Sequence, residues 1–532
     1  MSNQVSSPPM RGSIADDLRA GFIVFLIALP LCLGISIASG FPPVAGVLTA
    51  IVGGLVVTPL GSARFTIKGP AAGLIVIAIG AVTELGQGDG TLGYRRALAV
   101  GVVAAVIQIV FALLKAASVG VAIAPSVVHG MLAAIGVIIV SKQSHTMMGV
   151  VPSAKGPLPL LAEIPHSLMN ANPEIFLMGI VAIAVLIILP RLKLPGIRKV
   201  PPAIVALALT IPMGLWFDME HVHHYHMLSH DYQIGPQFLV QLPASLLNAV
   251  TFPLFDVVWS PASLKYIVMF ALIGTIESTL SALAADALDP ERRRSNLNRD
   301  LLALGVGNLI ASFIGGLPMI SEIVRTKANL DAGAKTNKSN LFHGAFLLLF
   351  VAFAPGLLHE IPLAVLAAML VFTGFRLASP TQFHHAKNIG IDQLIMFLVT
   401  LVTTLATDLL VGIAAGLTFK IGLHVYQGVP LKSLLKSRVT AERHGDVVTA
   451  KVEGAAIFSA LLPLQRALGN VDQSITEVVI DLSGSSIADH TFLSRVDAMS
   501  REWPNARLVF KGLDEMKAAS SHPLASRRRV AT

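Results

Sequence analysis

The feature that most constrains this chain is a series of apolar runs, each about twenty residues long, that recur between Leu18 and Tyr426. Wound as an α-helix, such a run matches the hydrocarbon core of a bilayer, which is about 30 Å thick. Only 13% of the 532 residues are charged and 54% are hydrophobic, whereas about a quarter of the residues in a soluble domain are charged. The sequence therefore predicts an α-helical polytopic membrane protein in a lipid bilayer, and it gives no support to an enzyme.

Fourteen candidate spans can be placed along this region. They cover residues 18–38, 42–58, 69–84, 97–115, 121–141, 175–190, 200–217, 266–284, 299–315, 319–330, 342–357, 361–377, 392–407 and 409–426. The third opens on Gly69-Pro70, and the tenth soon turns polar at Ser321, Glu322 and Arg325. In a seven-plus-seven arrangement, the third and the tenth span are each the third span of their half. Interrupted segments in matching positions of two halves are the best sequence pointer to a transporter's binding site at the membrane midplane.

The loop charges predict the orientation in the membrane. Basic residues cluster after the sixth, eighth and tenth spans, whereas the loop from Asp218 to Gln233 contains neither Lys nor Arg. Because cytoplasmic loops carry an excess of basic residues, this asymmetry predicts a multi-pass protein of the cell inner (plasma) membrane with both termini cytoplasmic. The formal net charge of +8 fits the same bias, so we expect no nucleic-acid partner.

After the last span the composition becomes that of a soluble protein. Strand-like segments at 447–452, 477–482 and 506–510 alternate with helix-like segments at 459–468 and 492–501, a pattern typical of a small α/β domain. A brief helix is expected from Leu513. We therefore divide the chain into a cytoplasmic N-terminus (1–17), a transmembrane transport domain (18–428), an α/β domain (440–520) and a basic tail (521–532).

The two interrupted spans predict a binding site for a small anion. If a half-helix starts at each break, the two N-termini direct partial positive charge and unpaired N–H groups at one spot. The alternative is that Gly69-Pro70 only kinks a packing helix. Arg325 either adds charge to this site or forms an i,i+3 pair with Glu322. The predicted substrate-binding residues are Thr66, Lys68, Gly69, Pro70, Ala71, Ile320, Ser321, Glu322 and Arg325.

Glu277 lies inside the apolar run of the eighth span, where a carboxylate is costly and by default indicates function. Ser281 follows at i+4, on the same face of the helix. With exposed backbone carbonyls these side chains would suit Na⁺, a cation that takes oxygen ligands. Alternatively, burial makes Glu277 a proton carrier, or the glutamate forms only an interhelical hydrogen bond. We assign Glu277 and Ser281 to cation coupling, and expect no cofactor and no metal other than transported Na⁺.

Two further features are weaker. Five histidines between His221 and His230 crowd one predicted outside loop without a fixed ligand spacing, so a solvated loop is favoured over a Zn²⁺ site. Cys32 is the single cysteine of the chain, which excludes an internal disulfide.

Several segments resemble the sulfate permease (SulP) family of anion transporters. They are Ala28-Leu29-Pro30, Gly69-Pro70-Ala71-Ala72-Gly73, Pro125 to Gln143, and Arg325-Thr326 followed by Gly333-Ala334-Lys335-Thr336. The tail resembles a short STAS domain at Asp481-Leu482-Ser483, Ile487 to Thr491 and Lys511-Gly512-Leu513. The resemblance implies a seven-plus-seven inverted repeat with core and gate domains, a homodimer and an elevator motion. It also marks Thr491 as the place where related domains carry a phosphorylatable hydroxyl, and a structural turn is the simpler interpretation.

Lys68 and Glu322 depart from that family, in which small or hydroxylic residues are commoner at both places. The two opposite charges either neutralise each other or act separately, Lys68 on the anion and Glu322 on a proton or cation. Carboxylates on the eighth and tenth spans also resemble the nucleobase permeases, which lack the arginine and the STAS-like tail.

We therefore expect a secondary active transporter of a small inorganic oxyanion, bicarbonate or sulfate, coupled to Na⁺ or H⁺. Bicarbonate is favoured, because a monoanion suits a site that contains Glu322. The alternatives are cation-coupled transport of dicarboxylates or nucleobases, and a channel or sensor that signals through the tail. A carbonic anhydrase is a candidate functional partner. The sequence leaves open the coupling ion and its stoichiometry.

Overall fold

The structure, a computed structural model, describes residues 14–117, 124–192, 200–227, 230–242, 247–289, 291, 293–429, 433–434, 437–469, 471, 474–501, 503 and 505–529. Within these ranges, eight helices are long and apolar enough to cross a membrane, judged by length and composition, and four shorter apolar helices accompany them. Large apolar side chains such as Leu113, Phe353 and Tyr426 are exposed on these helices, as expected of a surface that faces lipid. A helical polytopic fold is confirmed.

The helices of the first half are α1 (Ile14–Ala38), α2 (Pro43–Val52), α3 (Ile75–Gly86), α4 (Gly90–Leu113), α5 (Pro125–Met147), α6 (Pro157–Met169), α7 (Pro173–Ile188) and α8 (Pro202–Trp216). The second half has α9 (Pro261–Leu288), α10 (Leu297–Phe313), α11 (Ile323–Asp331), α12 (Lys338–Phe353), α13 (Pro355–His359), α14 (Leu363–Leu377), α15 (Pro380–Ile389), α16 (Ile391–Ala406) and α17 (Leu409–Tyr426). The strands among them are β1 (Ile67–Pro70), β2 (His223–Met227), β3 (His230–Ile234) and β4 (Met319–Glu322).

Every predicted span overlaps one of these helices. The two interrupted spans are the places where a short strand comes before the helix: β1 stands before α3, and β4 before α11. The number of fourteen spans stays a prediction, because α11 has only 9 residues, too few to cross a bilayer, which takes about 20.

The chain divides into two compact units. The first comprises Met1–Leu114, Ile139–Ala285 and Ser295–Thr373. Its main apolar core packs α1 and α2 against α12 and α14. The core side chains include Phe25, Leu33, Val47, Leu347 and Val365, all buried.

The start of α1 differs from the prediction. The helix begins at Ile14 rather than at residue 18, so Asp16 and Asp17 belong to its first turn. Asp17 is buried because it accepts hydrogen bonds from the backbone N–H groups of Lys335 and Thr336, at 2.7 and 2.9 Å, and from the Thr336 hydroxyl at 2.6 Å. A carboxylate satisfied in this way is tolerated inside a helix bundle, and it joins α1 to the segment that follows α11.

The second unit comprises Lys115–Ile138, Asp286–Arg294 and Gly374–Thr532. In its helical part, Ala133 and Ala134 of α5 pack on Phe397 and Leu401 of α16. The remainder of this unit is the α/β domain predicted at the C-terminal end.

The α/β domain contains β5 (Arg438–His444), β6 (Val447–Ala456), α18 (Phe458–Leu468), β7 (Glu477–Asp481), β8 (Ser485–Ala488), α19 (His490–Ser500), β9 (Arg507–Lys511), β10 (Lys517–Ala518) and β11 (Arg527–Arg528). The sheet order is β10-β11-β8-β6-β7-β9, with β5 antiparallel to β6. Strand β6 is parallel to β7 and β8, and β7 is parallel to β9. Helices α18 and α19 cover the sheet with buried Leu464, Phe492 and Val496.

The end of this domain differs from the prediction in two ways. The brief helix expected from Leu513 is wrong, since turns and β10 occupy that segment. The sheet also continues beyond residue 520, because β11 pairs with β8 and β10. Arg529, assigned to the basic tail, lies 2.9 Å from the carboxylate of Glu515, so these basic residues find partners within the domain.

Candidate functional site

The two chain breaks meet in one place. Strand β1 pairs with β4 in antiparallel register, with Lys68 opposite Ser321 and Gly69 opposite Ile320. The two strands are 253 residues apart in sequence at the Lys68–Ser321 pair. Strand β4 runs directly into α11, and β1 leads through Ala71 and a 3-10 turn into α3. Both helices therefore follow closely on the crossing of β1 and β4, which is buried except for half-buried Glu322.

The starts of these helices lack a side-chain cap from their N-cap residues. Among the described residues, the N-cap residues Ala71, before the 3-10 turn that precedes α3, and Glu322, before α11, make no side-chain cap hydrogen bond. In contrast, Asp89 caps α4 and Asn296 caps α10. The first N–H groups of a helix have no intrahelical acceptor and carry the positive end of the helix dipole. An uncapped N-terminus in a buried crossing is suited to hold a small anion.

Lys68 is held by two partners rather than left free. Its ammonium forms an ion pair with Asp300 of α10 and donates a 2.6 Å hydrogen bond to the hydroxyl of Ser321. The side chains of Lys68 and Asp300 are 2% and 5% exposed, so this is an ion pair inside the protein. Among the predicted alternatives, neutralisation of Lys68 does occur, but its counter-charge is Asp300 and not Glu322.

Arg325 crosses from α11 to the other half of the site. Its guanidinium is 1% exposed and donates to the carbonyl of Pro70 at 3.4 Å and to Sγ of Cys32 at 3.5 Å. Within the part of the chain that the structure describes, no hydrogen bond or ion pair joins it to Glu322. A Cβ atom on Gly69 would lie 2.6 Å from Nη1 of Arg325, which explains why glycine stands at this position.

Glu277 contacts the start of the first half-helix. A Cβ atom on Gly73 would overlap both carboxylate oxygens of Glu277, so the carboxylate packs against the backbone just before α3. Glu277 is 8% exposed and, among the described residues, its Oε1 atom has no hydrogen-bond partner. The same holds for Oε1 of Glu322 and Nε of Arg325. Such groups are suited to bind a ligand, because an unpaired buried polar atom is costly.

Of the remaining predicted residues, Thr66 and Ala71 flank β1, Ile320 lies in β4 and Ser281 lies on α9. Ala71 and Ile320 are buried, and Ser281 of α9 is half-buried. The hydroxyl of Thr66 donates to the carbonyl of Ala63 at 3.3 Å, away from the strand pairs. Thr491 lies elsewhere, in the first turn of α19, where it accepts a 2.7 Å hydrogen bond from Lys420 of α17.

Three residues of the site were missed from the sequence. Asp300 holds Lys68, and Ser278 of α9 accepts a 2.9 Å hydrogen bond from the backbone N–H of Ser321. Asn308 of α10 accepts from the N–H of Met319 at 2.6 Å and donates to its carbonyl at 3.2 Å, which fixes the start of β4. A polar residue inside or at the start of an apolar span was the available signal in each case.

The histidine-rich loop is separate from these residues. It forms the exposed β2–β3 hairpin, in which His226 lies 2.9 Å from the carboxylate of Asp231. Within the described residues, no group of three or more His, Cys, Asp and Glu side chains could hold a metal ion.

A profile of the sulfate permease family matches residues 14–400, almost three quarters of the chain. The chain belongs to the sulfate permease family. As a permease it is a multi-pass membrane transporter of anions and not an enzyme.

Curated relatives support this assignment. The permease is 27% identical to the putative sulfate transporter YvdB of Bacillus subtilis, over 75% of this chain and 72% of that protein. It is 26% identical to the bicarbonate transporter BicA of Synechocystis, over 88% of this chain and 83% of that protein.

Solved structures show the same fold. The permease matches the transmembrane domain of a cyanobacterial bicarbonate transporter BicA with a TM-score of 0.62 and 25% identity, over 76% of this chain and 97% of that one. It matches the murine Solute Carrier 26 family member A9 anion transporter with a TM-score of 0.67 and 15% identity, over 94% of this chain and 86% of that one. The second match covers the α/β domain as well, which fits a STAS domain.

Proposed function

We propose that this permease is a secondary active transporter that carries a small inorganic oxyanion together with Na⁺ or H⁺. Bicarbonate is the first candidate and sulfate the second. The protein works as a homodimer in the plasma membrane, with both termini cytoplasmic, and it moves its substrate by an elevator motion. In the substrate site, the N–H groups at the starts of α3 and α11 and the guanidinium of Arg325 bind the anion.

The observation that carries this proposal is the charge balance around the crossing of β1 and β4. Glu277, Asp300 and Glu322 supply three carboxylates there, whereas Lys68 and Arg325 supply two basic groups. With every group ionised, the site has a net charge of −1 before an anion enters. An isolated charge inside a low-dielectric environment is very costly, so an anion needs an accompanying cation or proton. Coupling follows from that requirement.

Glu277 is the group proposed to take the coupling cation. It is buried, one of its oxygens is unpartnered, and it packs against the start of α3. Hydroxyls of Ser278 and Ser281 lie on the same helix, and hard cations bind through such oxygen ligands. Because a cation at Glu277 and an anion at the helix N-termini attract each other, each stabilises the binding of the other, as linkage requires.

The charge of the site also favours bicarbonate over sulfate as the substrate. A dianion such as sulfate would add two negative charges to a site that already holds an excess carboxylate, and therefore needs one more cation than bicarbonate does. The bicarbonate transporter BicA of Synechocystis is a relative over most of the chain. A carbonic anhydrase, which interconverts CO₂ and bicarbonate, is the enzyme class that would supply or consume this substrate.

The test is uptake into proteoliposomes of labelled bicarbonate, sulfate and succinate, with Na⁺ and pH gradients imposed separately. We expect saturable, gradient-driven accumulation of bicarbonate, and loss of the gradient dependence in Glu277→Gln. Glu84→Gln is the matched control, because Glu84 lies near the opposite end of α3 and its carboxylate is 45% exposed. Full gradient-driven uptake by Glu277→Gln would refute the coupling role. Accumulation of succinate alone would replace the oxyanion with a dicarboxylate.

A further inference from the structure

Asp300 does more than neutralise Lys68. One carboxylate oxygen, Oδ2, pairs with the Lys68 ammonium, while the other, Oδ1, accepts from the backbone N–H groups of Ser62 and Ala63 at 3.3 and 3.1 Å. The neighbouring Arg299 donates to the carbonyl of Leu60 at 3.0 Å. The first turns of α10 therefore hold the loop that leads into β1.

The Lys68 ammonium extends this connection to the other half of the site. It bridges Asp300 and Ser321, and Ser321 is its partner in the β1–β4 register. Lys68 also precedes Gly69, the residue that lies against the guanidinium of Arg325. A full positive charge thus stands directly beside the crossing of β1 and β4 and is balanced there by Asp300.

We propose that Asp300 is a specificity-determining residue, which balances the charge of Lys68 so that the site favours a monoanion over a dianion. This inference rests on the proposed function, in which an oxyanion binds at the β1–β4 crossing. Asp300 acts through Lys68 and does not itself touch the anion, so it is a positioning residue.

The charges of the two anions determine the direction of the effect. Removing the charge of Asp300 makes the site more positive by one unit, and the Coulomb energy gained by an anion is proportional to the anion's own charge. A dianion therefore gains twice as much as a monoanion. With an effective dielectric constant of about 20 and about 10 Å between Asp300 and the anion, the extra energy gained by the dianion changes the affinity for sulfate relative to bicarbonate roughly tenfold.

Three variants, compared with the wild type, separate charge from structure. Asp300→Asn is nearly isosteric and keeps an oxygen for the Ser62 and Ala63 N–H groups. Lys68→Met makes the opposite change, because it leaves Asp300 without its counter-charge. The double variant Lys68→Met/Asp300→Asn restores the net charge of the wild type. A purely structural role would lower the turnover of both anions and leave their ratio unchanged.

The experiment measures kcat/KM for sulfate and for bicarbonate in proteoliposomes of all four proteins, with size-exclusion profiles as a check on folding. We expect Asp300→Asn to raise the sulfate-to-bicarbonate ratio about tenfold, Lys68→Met to lower it, and the double variant to return it to the wild-type value. If Asp300→Asn does not fold, the sulfate-to-bicarbonate ratios of Lys68→Met and the double variant are compared instead, and the inference requires that they differ.

Two results overturn the inference. One is a ratio in Asp300→Asn within twofold of the wild type, and the other is a double variant that keeps the altered ratio of a single variant. Wild-type vesicles that accumulate neither anion would refute the proposed function and this inference together. Wild-type uptake with an unchanged ratio in the variants would refute only the inference.

Discussion

The replacement of Lys420 by methionine should strongly destabilise the STAS-like domain. Lys420 of α17 is inserted among residues of that domain: its ammonium lies 3.0 Å from the carboxylate of Asp489, 2.7 Å from the Thr491 hydroxyl and 5.2 Å from the centre of the Phe458 ring. Lys420 and Asp489 are each 4% exposed. The methionine keeps the apolar stem but leaves Asp489 buried without its main counter-charge.

The expected loss is about 3 kcal/mol in the free energy of unfolding. Removing one partner of a buried ion pair costs about 3–5 kcal/mol. Because His424 lies 3.3 Å from Asp489 and still compensates part of its charge, we expect a loss at the lower end of this range. Burial alone would raise the pKa of Asp489, but Lys420 and His424 outweigh it and hold the pKa well below its usual range. A depressed carboxylate pKa stabilises the fold above the unfolded pKa of about 3.9, and the contribution is lost as pH falls through the folded value. Above about pH 6 the Asp489 carboxylate is ionised in the folded and the unfolded state, so its own titration adds no pH dependence to the difference there.

Trp503 provides the assay. It is 3% exposed in the core of the domain, whereas the other two tryptophans, Trp216 and Trp259, are 86% and 73% exposed. With those two changed to phenylalanine, urea unfolding in detergent can be followed through Trp503 alone. Lys511→Met is the matched control: Lys511 pairs with Asp481 at 3.3 Å but is 64% exposed, so its loss should cost less than about 1 kcal/mol.

A double-mutant cycle decides whether the ion pair is the cause. Asp489→Asn removes the buried charge, so Lys420→Met should cost much less in that background. The ion pair is not the cause if Lys420→Met alone costs less than about 1 kcal/mol, or if its cost is the same with and without the Asp489 carboxylate.

Two further substitutions test the site. Gly73→Ala should lower cation-dependent uptake at least about tenfold, because the new methyl group overlaps the Glu277 carboxylate. The control Gly356→Ala should be neutral, because its methyl group meets no described atom within 4 Å. Equal uptake by both variants would contradict the packing of Glu277 against Gly73. Asn308→Leu should cost about 3 kcal/mol of stability, since the N–H and carbonyl of Met319 lose their buried partner. In the same thermal unfolding series, the control Asn170→Leu at an exposed position should cost less than about 1 kcal/mol. Equal losses in the two variants would argue against Asn308 as the residue that fixes the start of β4.

The backbone of the site was predictable because its signals are local. Gly69-Pro70 and the polar run at Ser321 interrupt apolar spans, and in both places a strand precedes a shortened helix. The alternation of strands and helices after residue 437 likewise follows from short-range patterns. The strand register and the pairing of charges could not be predicted from local signals, because nothing near Lys68 indicates that its partner lies 232 residues away.

The same limit applies to Lys420. A lysine inside the last apolar span was visible in the sequence, but its partner belongs to another domain. Side-chain direction was equally hidden for Arg325, whose spacing from Glu322 permits a helical pair, while its guanidinium extends to Pro70 and Cys32. Residues such as Asn308 could have been found by asking which polar groups within the spans have no neighbour in sequence to bond with.

The contact between Arg325 and Cys32 gives this permease a built-in chemical reporter. Cys32 is the only thiol in the sequence, it is fully buried, and its sulfur lies 3.5 Å from the guanidinium. Because Cys32 is the only thiol and is buried, a thiol reagent reaches it only when the site opens, and it then modifies the protein at one place, beside the proposed anion site, without a cysteine-free background. The rate of that labelling, measured from either side of the membrane with and without substrate, reads out which side the site is open to in the unaltered protein.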